Sequence, residues 1–319
     1  MQSVCAVLDP ITICGKKVHL MTEFLEIDQP LYVIKHYKDG IYSVCKFKRG
    51  CNVIPHHAEE IVDCQEHDGK FDSSFSRARS MVKQYGLCNP WDYFVTLTLD
   101  PKKYNRYDLG QFKADLSQFV RDMRKKYKQY GGERLSYLLV PETHKDGAWH
   151  MHGLIYGLPD AVTEPFVSGK HPQKLVDGGF LNWKDYERKF GFVSLGKIRD
   201  PVGTVLYTTK YINKDIEALA DLKGEHLYMA SRPLKKAVTV NEVYFPYGEL
   251  DSIATKEYKF CSVGMVYDKP WYWALQFDAD NVPAMFPKTE ISAVPAANVP
   301  PYHFDASLID PTYTQECFF

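Results

Sequence analysis

No stretch of this 319-residue chain approaches the eighteen or so consecutive apolar residues that a membrane-spanning helix requires. The amino-terminal residues carry no basic-then-apolar leader pattern, which predicts a protein that is neither exported nor held in a membrane. Eight cysteines are present, at positions 5, 14, 45, 51, 64, 88, 261 and 317, yet none forms a C-x-x-C pair. The expectation is reduced thiols rather than a disulfide frame. Cys45, Cys51, His56, His57, Cys64 and His67 crowd one segment, but their spacings match no standard zinc finger. A G-x-x-x-x-G-K-[ST] run is missing, so the chain is not a P-loop ATPase. There are no internal repeats. Net charge is also lacking: 39 Lys and Arg face 40 Asp and Glu, for a formal charge of −1.

That balance conceals an uneven distribution. Between Lys102 and Lys128 nine Lys or Arg stand against three aspartates, whereas from Gln276 onward six acids accompany the single Lys288. An acidic tail masks a basic central region, which is compatible with contact to a phosphate backbone. Hydrophobic residues at 45% and charged residues at 25% fit a globular chain with one substantial core and an accessory region.

The densest chemistry lies in Trp149-His150-Met151-His152-Gly153-Leu154-Ile155-Tyr156. A strand sends successive side chains to opposite faces, so His150 and His152 share one face and Met151 anchors the other. Upstream, Arg134 to Glu142 also reads as a strand, and Thr143-His144-Lys145-Asp146-Gly147-Ala148 supplies hairpin turn chemistry. Folding the two strands together brings Glu142 near His150. Two imidazoles and a carboxylate suit a divalent ion such as Mg²⁺ or Mn²⁺ that keeps open positions for a phosphate oxygen. His144 reads as a polar turn residue.

A helix is expected from Asp200 to about Leu222, capped by Asp200, with Pro201 in its first turn and a stop at Gly224. Val202, Val205, Leu206, Ile212, Ile216 and Leu219 form the expected core stripe. Tyr207, Lys210, Tyr211 and Lys214 cluster opposite it, so the two phenols should point away from the packing surface. Neighbouring ammonium groups favour the phenolate, the nucleophilic form of tyrosine.

Taken together, these residues resemble the HUH endonuclease superfamily, in particular the two-tyrosine rolling-circle replication initiators of small phages and plasmids. Tyr93-Phe94-Val95-Thr96-Leu97-Thr98-Leu99-Asp100 resembles the first family motif, Glu142 with His150-Met151-His152 the second, and Tyr207-Thr208-Thr209-Lys210-Tyr211-Ile212-Asn213-Lys214 the third. The resemblance runs from about Ser74 to about Lys236. It implies an α+β fold with a mostly antiparallel, RRM-like central sheet and flanking helices. It also implies a Mg²⁺ or Mn²⁺ ion on His150, His152 and Glu142, and attack by Tyr207 or Tyr211 on a DNA phosphate to leave a 5′-phosphotyrosine and a free 3′-hydroxyl. Lys210 and Lys214 would steady the charge. The implied partners are single-stranded or hairpin origin DNA and a host helicase, polymerase and single-strand-binding protein, in the cytoplasm of a bacterial host.

Three regions are expected: a β-rich extension over 1–70, the endonuclease unit over 71–245, and an aromatic segment with a flexible Pro-rich acidic tail over 246–319. Within them, 74–87 reads as a basic helix, the helix from Asp108 packs on the sheet through Leu109, Phe112, Leu116, Phe119, Val120, Met123 and Tyr127, and Gly191 to Leu195 reads as a strand. The aromatic residues after 245 are expected to form a layer packing back on the core. Competing readings are a relaxase or transposase of the same superfamily, and a non-enzymatic RRM-like nucleic-acid binder. A cupin-like oxygenase would want a Glu about four residues after the second histidine, where position 156 is Tyr.

Overall fold

The computed structural model describes residues 6–7, 11–13, 16–18, 21–22, 30–47, 71–214, 226–243, 248–258 and 261–277. The crowded Cys/His segment beyond Cys45, the tyrosine helix beyond Lys214 and the tail from 278 onward lie outside the described residues. Near the amino terminus β1 (Ala6–Val7) pairs with β4 (Met21–Thr22), and β2 (Ile11–Ile13) with β3 (Lys16–Val18). The rest is α+β, built on two antiparallel sheets.

The larger sheet has seven strands. In spatial order they are β10 (Thr163–Pro165), β11 (Leu181–Trp183), β12 (Val193–Lys197), β7 (Tyr93–Thr98), β9 (Trp149–Tyr156), β8 (Ser136–Thr143) and β13 (Met229–Ala230). All its pairings are antiparallel, as expected for an RRM-like core. β8 and β9 form the anticipated hairpin. Its turn closes through the His144 amide on the Ala148 carbonyl at 2.8 Å, with Gly147 at φ 80°. Only glycine adopts that left-handed conformation without steric cost.

Helices cover both faces, which is why β7 and β9 read as almost unbroken apolar runs. Helix α1 (Phe71–Cys88) packs on α5 (Pro201–Lys214), and α5 lies over β8 and β9. The two helices approach closely because position 86 is glycine: a Cβ there would sit 2.5 Å from Val205 Cγ1. Helix α2 (Leu109–Tyr127), capped by the Asp108 side chain on the Gln111 amide at 2.9 Å, buries Leu109, Phe112, Leu116, Phe119, Val120 and Tyr127. Its Phe119 ring meets Trp183, and also Tyr186 and Phe190 at α4 (Lys184–Lys189). A short α3 (Gln173–Asp177) packs Leu175 with Phe166 and Phe180.

The second sheet has the order β14 (Val238–Val243), β5 (Leu31–His36), β6 (Tyr42–Phe47), β16 (Cys261–Val266) and β15 (Lys256–Glu257). Strands from the amino-terminal region are thus flanked by strands from the far end of the chain, through registers such as His36 with Val238 and Phe47 with Cys261. Lys38-Asp39-Gly40 makes the β5–β6 turn, with positive φ at Asp39 and Gly40. Trp273 and Phe277 are buried here with Tyr32, Tyr42 and Leu250 of α6 (Gly248–Ile253), while Trp271 is 73% exposed. The aromatic segment therefore packs back as a layer in part. Among the described residues no helix is long and apolar enough to cross a membrane.

Candidate functional site

The site is built on one face of the large sheet. Strand register puts Thr98, His150 and Glu142 in one row across β7, β9 and β8, and Ser194, Thr96, His152 and Val140 in the next, starting on β12. Gly153, immediately after the second histidine, admits β8 at this point: a Cβ there would overlap the Leu138 carbonyl.

Each histidine is gripped by a threonine. Thr96 Oγ1 lies 3.1 Å from His152 Nδ1 and Thr98 Oγ1 lies 3.1 Å from His150 Nδ1. With Nδ1 engaged, each ring is held with Nε2 free for another partner. His152 Nε2 meets Glu142 Oε2 at 2.8 Å. His150 Nε2 is buried with no hydrogen-bond partner. Burial, then the neighbouring His152 and His144, lowers the His150 pKa to about 4. That ring is neutral near pH 7, with a lone pair available.

Two imidazole nitrogens and a carboxylate, with second-row hydroxyls fixing the rings, fit a divalent cation. The orphaned His150 Nε2 is the observation that favours this, since a buried acceptor without a partner is costly. Among the described residues no three such donors surround a common point, because Glu142 and His152 are engaged with each other. An ion would replace that bond as the partner of both atoms.

Helix α5 begins as expected, Asp200 Oδ1 accepting from the Gly203 amide at 3.0 Å. Its orientation differs from the sequence expectation. Tyr207 and Tyr211 are not turned away from the packing surface but lie against the sheet, 9% and 5% exposed. The Tyr211 ring stacks on His152, centroids 4.4 Å apart and 7° from parallel, and both phenols pack on Phe94. Their hydroxyls share a hydrogen bond of 2.8 Å. The helix is enclosed on two sides, so an apolar stripe does not identify its sheet face; Val202 and Leu206 are only half-buried. Lys210 is exposed, with Nζ 5.9 Å from the Tyr207 ring centroid, and desolvation lowers its pKa. Lys214 ends the helix, and its side chain lies outside the described residues.

The structure therefore brings Glu142, His150, His152, Tyr207 and Tyr211 into one neighbourhood. Three groups emerge that were not singled out from the sequence. Thr96 and Thr98 share the histidine face through period-2 alternation, a signal present in Phe94 to Thr98. Ser194 has a buried Oγ without a hydrogen-bond partner in the Thr96–His152 row. Arg106 binds Asp146 at 3.1 Å and packs on the hairpin turn beside His144, whose ring lies 5.2 Å from that of His150.

Fold and site define an α+β protein whose sheet carries a paired-histidine, two-tyrosine face beneath a helix. Residues 92–216 match a family model of replication-associated proteins, the one described under the heading ORF2. Over that segment, which runs from β7 through α5 and holds every candidate site residue, the chain is similar to replication-associated proteins, and its resemblance to rolling-circle replication initiators holds. Neither the curated proteins nor the solved structures yield a match.

Proposed function

We propose that the protein is a rolling-circle DNA replication initiator that nicks and rejoins a single strand at its origin through a 5′-phosphotyrosine. The observation that carries this reading is the stacking of Tyr211 on His152, with Tyr207 hydrogen-bonded to Tyr211 beside the Glu142–His152 pair. A Mg²⁺ or Mn²⁺ ion on His150, His152 and Glu142 would neutralise charge on a non-bridging oxygen of the scissile phosphate.

The chain's own groups account for the rest. Loss of a proton from either phenol leaves an oxyanion that the second hydroxyl, 2.8 Å away, can stabilise by donating a hydrogen bond. The Lys210 ammonium, near the Tyr207 ring, favours the same charged form. Attack forms the phenolic O–P bond and breaks the P–O3′ bond. The departing 3′ oxygen takes up a proton and becomes the primer terminus. The second tyrosine would cleave the regenerated junction, and its released 3′-hydroxyl would attack the first phosphotyrosine to restore the diester and free the phenol. Because the ester bond is conserved, no nucleotide triphosphate is needed. Unwinding and synthesis would fall to a helicase, polymerase and single-strand-binding protein of a bacterial host, in its cytoplasm. We take residues 71–245 as the nicking unit, with 1–70 and 246–319 as accessory.

The test incubates the purified chain with a labelled oligonucleotide from its own origin and Mn²⁺, then denatures the mixture on a gel. A covalent adduct is expected, lost after chelation and absent in Tyr207→Phe/Tyr211→Phe. An adduct that persists in that double variant would overturn the nucleophile assignment.

A further inference from the structure

A second recess lies on the other side of the tyrosine helix. Leu206 and Thr209 of α5 wall a cleft of about 190 Å³ that is otherwise framed by α1 and the second sheet. The flanking residues Tyr207 and Lys210 belong to the phosphate-transfer side, so α5 is shared by both sites. Lys35, Arg79, Lys83 and Lys256 line the cleft, and among the described lining residues there is no carboxylate. Its remaining wall carries Val33, Val263 and the rings of Tyr37 and Tyr258.

Gln84 gives the cleft its chemical direction. It is 2% exposed, on the wall, and its Nε2 donates to Ser80 Oγ at 3.3 Å. Its Oε1 is buried with no hydrogen-bond partner. Leaving an acceptor unsatisfied in an interior costs free energy, so a ligand that donates to it is favoured. Four cations select a phosphate, and apolar and aromatic walls select a flat ring. A cavity of about 150 Å³ admits a benzene ring, so this one has room for a base-sized group but none for a duplex.

We infer that this cleft receives one unpaired nucleotide of the DNA strand held at the tyrosine site, its phosphate on the lysines and arginine and an amino-bearing base edge on Gln84. The inference rests on the nicking reading for the identity of the strand. Cytosine, adenine and guanine each carry an amino group able to donate to Oε1, and thymine carries none.

The experiment measures binding of short fluorescent homopolymers of deoxycytidine and thymidine by anisotropy over a range of salt, alongside the covalent-adduct assay. Gln84→Leu should reduce the cytidine-to-thymidine affinity ratio by about 2- to 10-fold, the worth of one hydrogen bond. Lys35→Ala/Lys83→Ala, at half-buried positions, should weaken both homopolymers by a similar factor. It should also flatten the slope of log affinity against log salt by about 0.7, the contribution of one single-strand phosphate. An unchanged ratio in folded Gln84→Leu, or an unchanged slope in the lysine pair, overturns the proposal. If Gln84→Leu melts early, the lysine pair alone decides. Wild-type protein that forms no adduct yet shows these binding changes would refute nicking while leaving the cleft assignment standing.

Discussion

Replacing Thr96 by valine keeps the branched shape and strand preference of the side chain while deleting the hydroxyl that holds His152 Nδ1 at 3.1 Å. Both residues are buried, so the deleted bond is not replaced by water and the ring nitrogen is left unsatisfied. The expected loss of stability is about 1–3 kcal/mol. The functional effect is separate: without its outer partner the ring no longer has one preferred orientation and tautomer. Loss of such a partner typically lowers metal affinity by about 10- to 100-fold. Thr98→Val should act in the same sense on His150, held at 3.1 Å in a half-buried setting. Titration calorimetry with Mn²⁺ on each variant, with Thr96→Ser as the hydroxyl-retaining control, reads the effect without DNA. Wild-type Mn²⁺ affinity in a folded Thr96→Val protein would refute the idea that these hydroxyls set the histidine geometry.

Gly153→Ala should destabilise the fold by about 2 kcal/mol or more and lower its melting temperature, because the new Cβ overlaps the Leu138 carbonyl and the hairpin must open. At Asp185, burial raises the carboxyl pKa, but hydrogen bonds from Lys126 at 2.7 Å and Tyr127 at 2.8 Å outweigh it and hold the group below the usual carboxylate range. Its stabilisation is therefore full above the ordinary aspartate value of about 3.9 and disappears as pH falls through the lower folded value. Asp185→Asn should flatten that acid limb in denaturant titrations and cost about 1–3 kcal/mol at neutral pH. Lys210→Ala should slow adduct formation by more than it weakens oligonucleotide binding, since its charge matters most as the transferred phosphate becomes crowded; equal losses would reduce Lys210 to a phosphate anchor.

Local chemistry made much of the fold legible. Alternation within Trp149 to Tyr156, together with Asp146-Gly147, is enough to pair Glu142 with His150, and Asp200-Pro201 marks the start of α5. The direction of the two phenols was not legible. Amphipathic reasoning assumes one buried face, whereas α5 is enclosed by the sheet on one side and by α1 on the other, so its apolar stripe lies toward α1 and the cleft. The second sheet escaped for another reason: its pairings join residues such as His36 and Val238, and nothing in either segment alone names its partner. The roles of Thr96 and Thr98 become visible only once β7 is placed beside β9.

That interleaved small sheet constrains how the gene can be dissected. Removing the region after α5 would strip β14 from β5 and β16 from β6, baring two ladder edges at once, and exposed edges of this kind invite chains to associate. Deleting the first strands would orphan the same ladder from its other side. A soluble minimal fragment must therefore be trimmed at both termini together, and an intact chain made on a ribosome cannot complete this layer until its last strand has emerged.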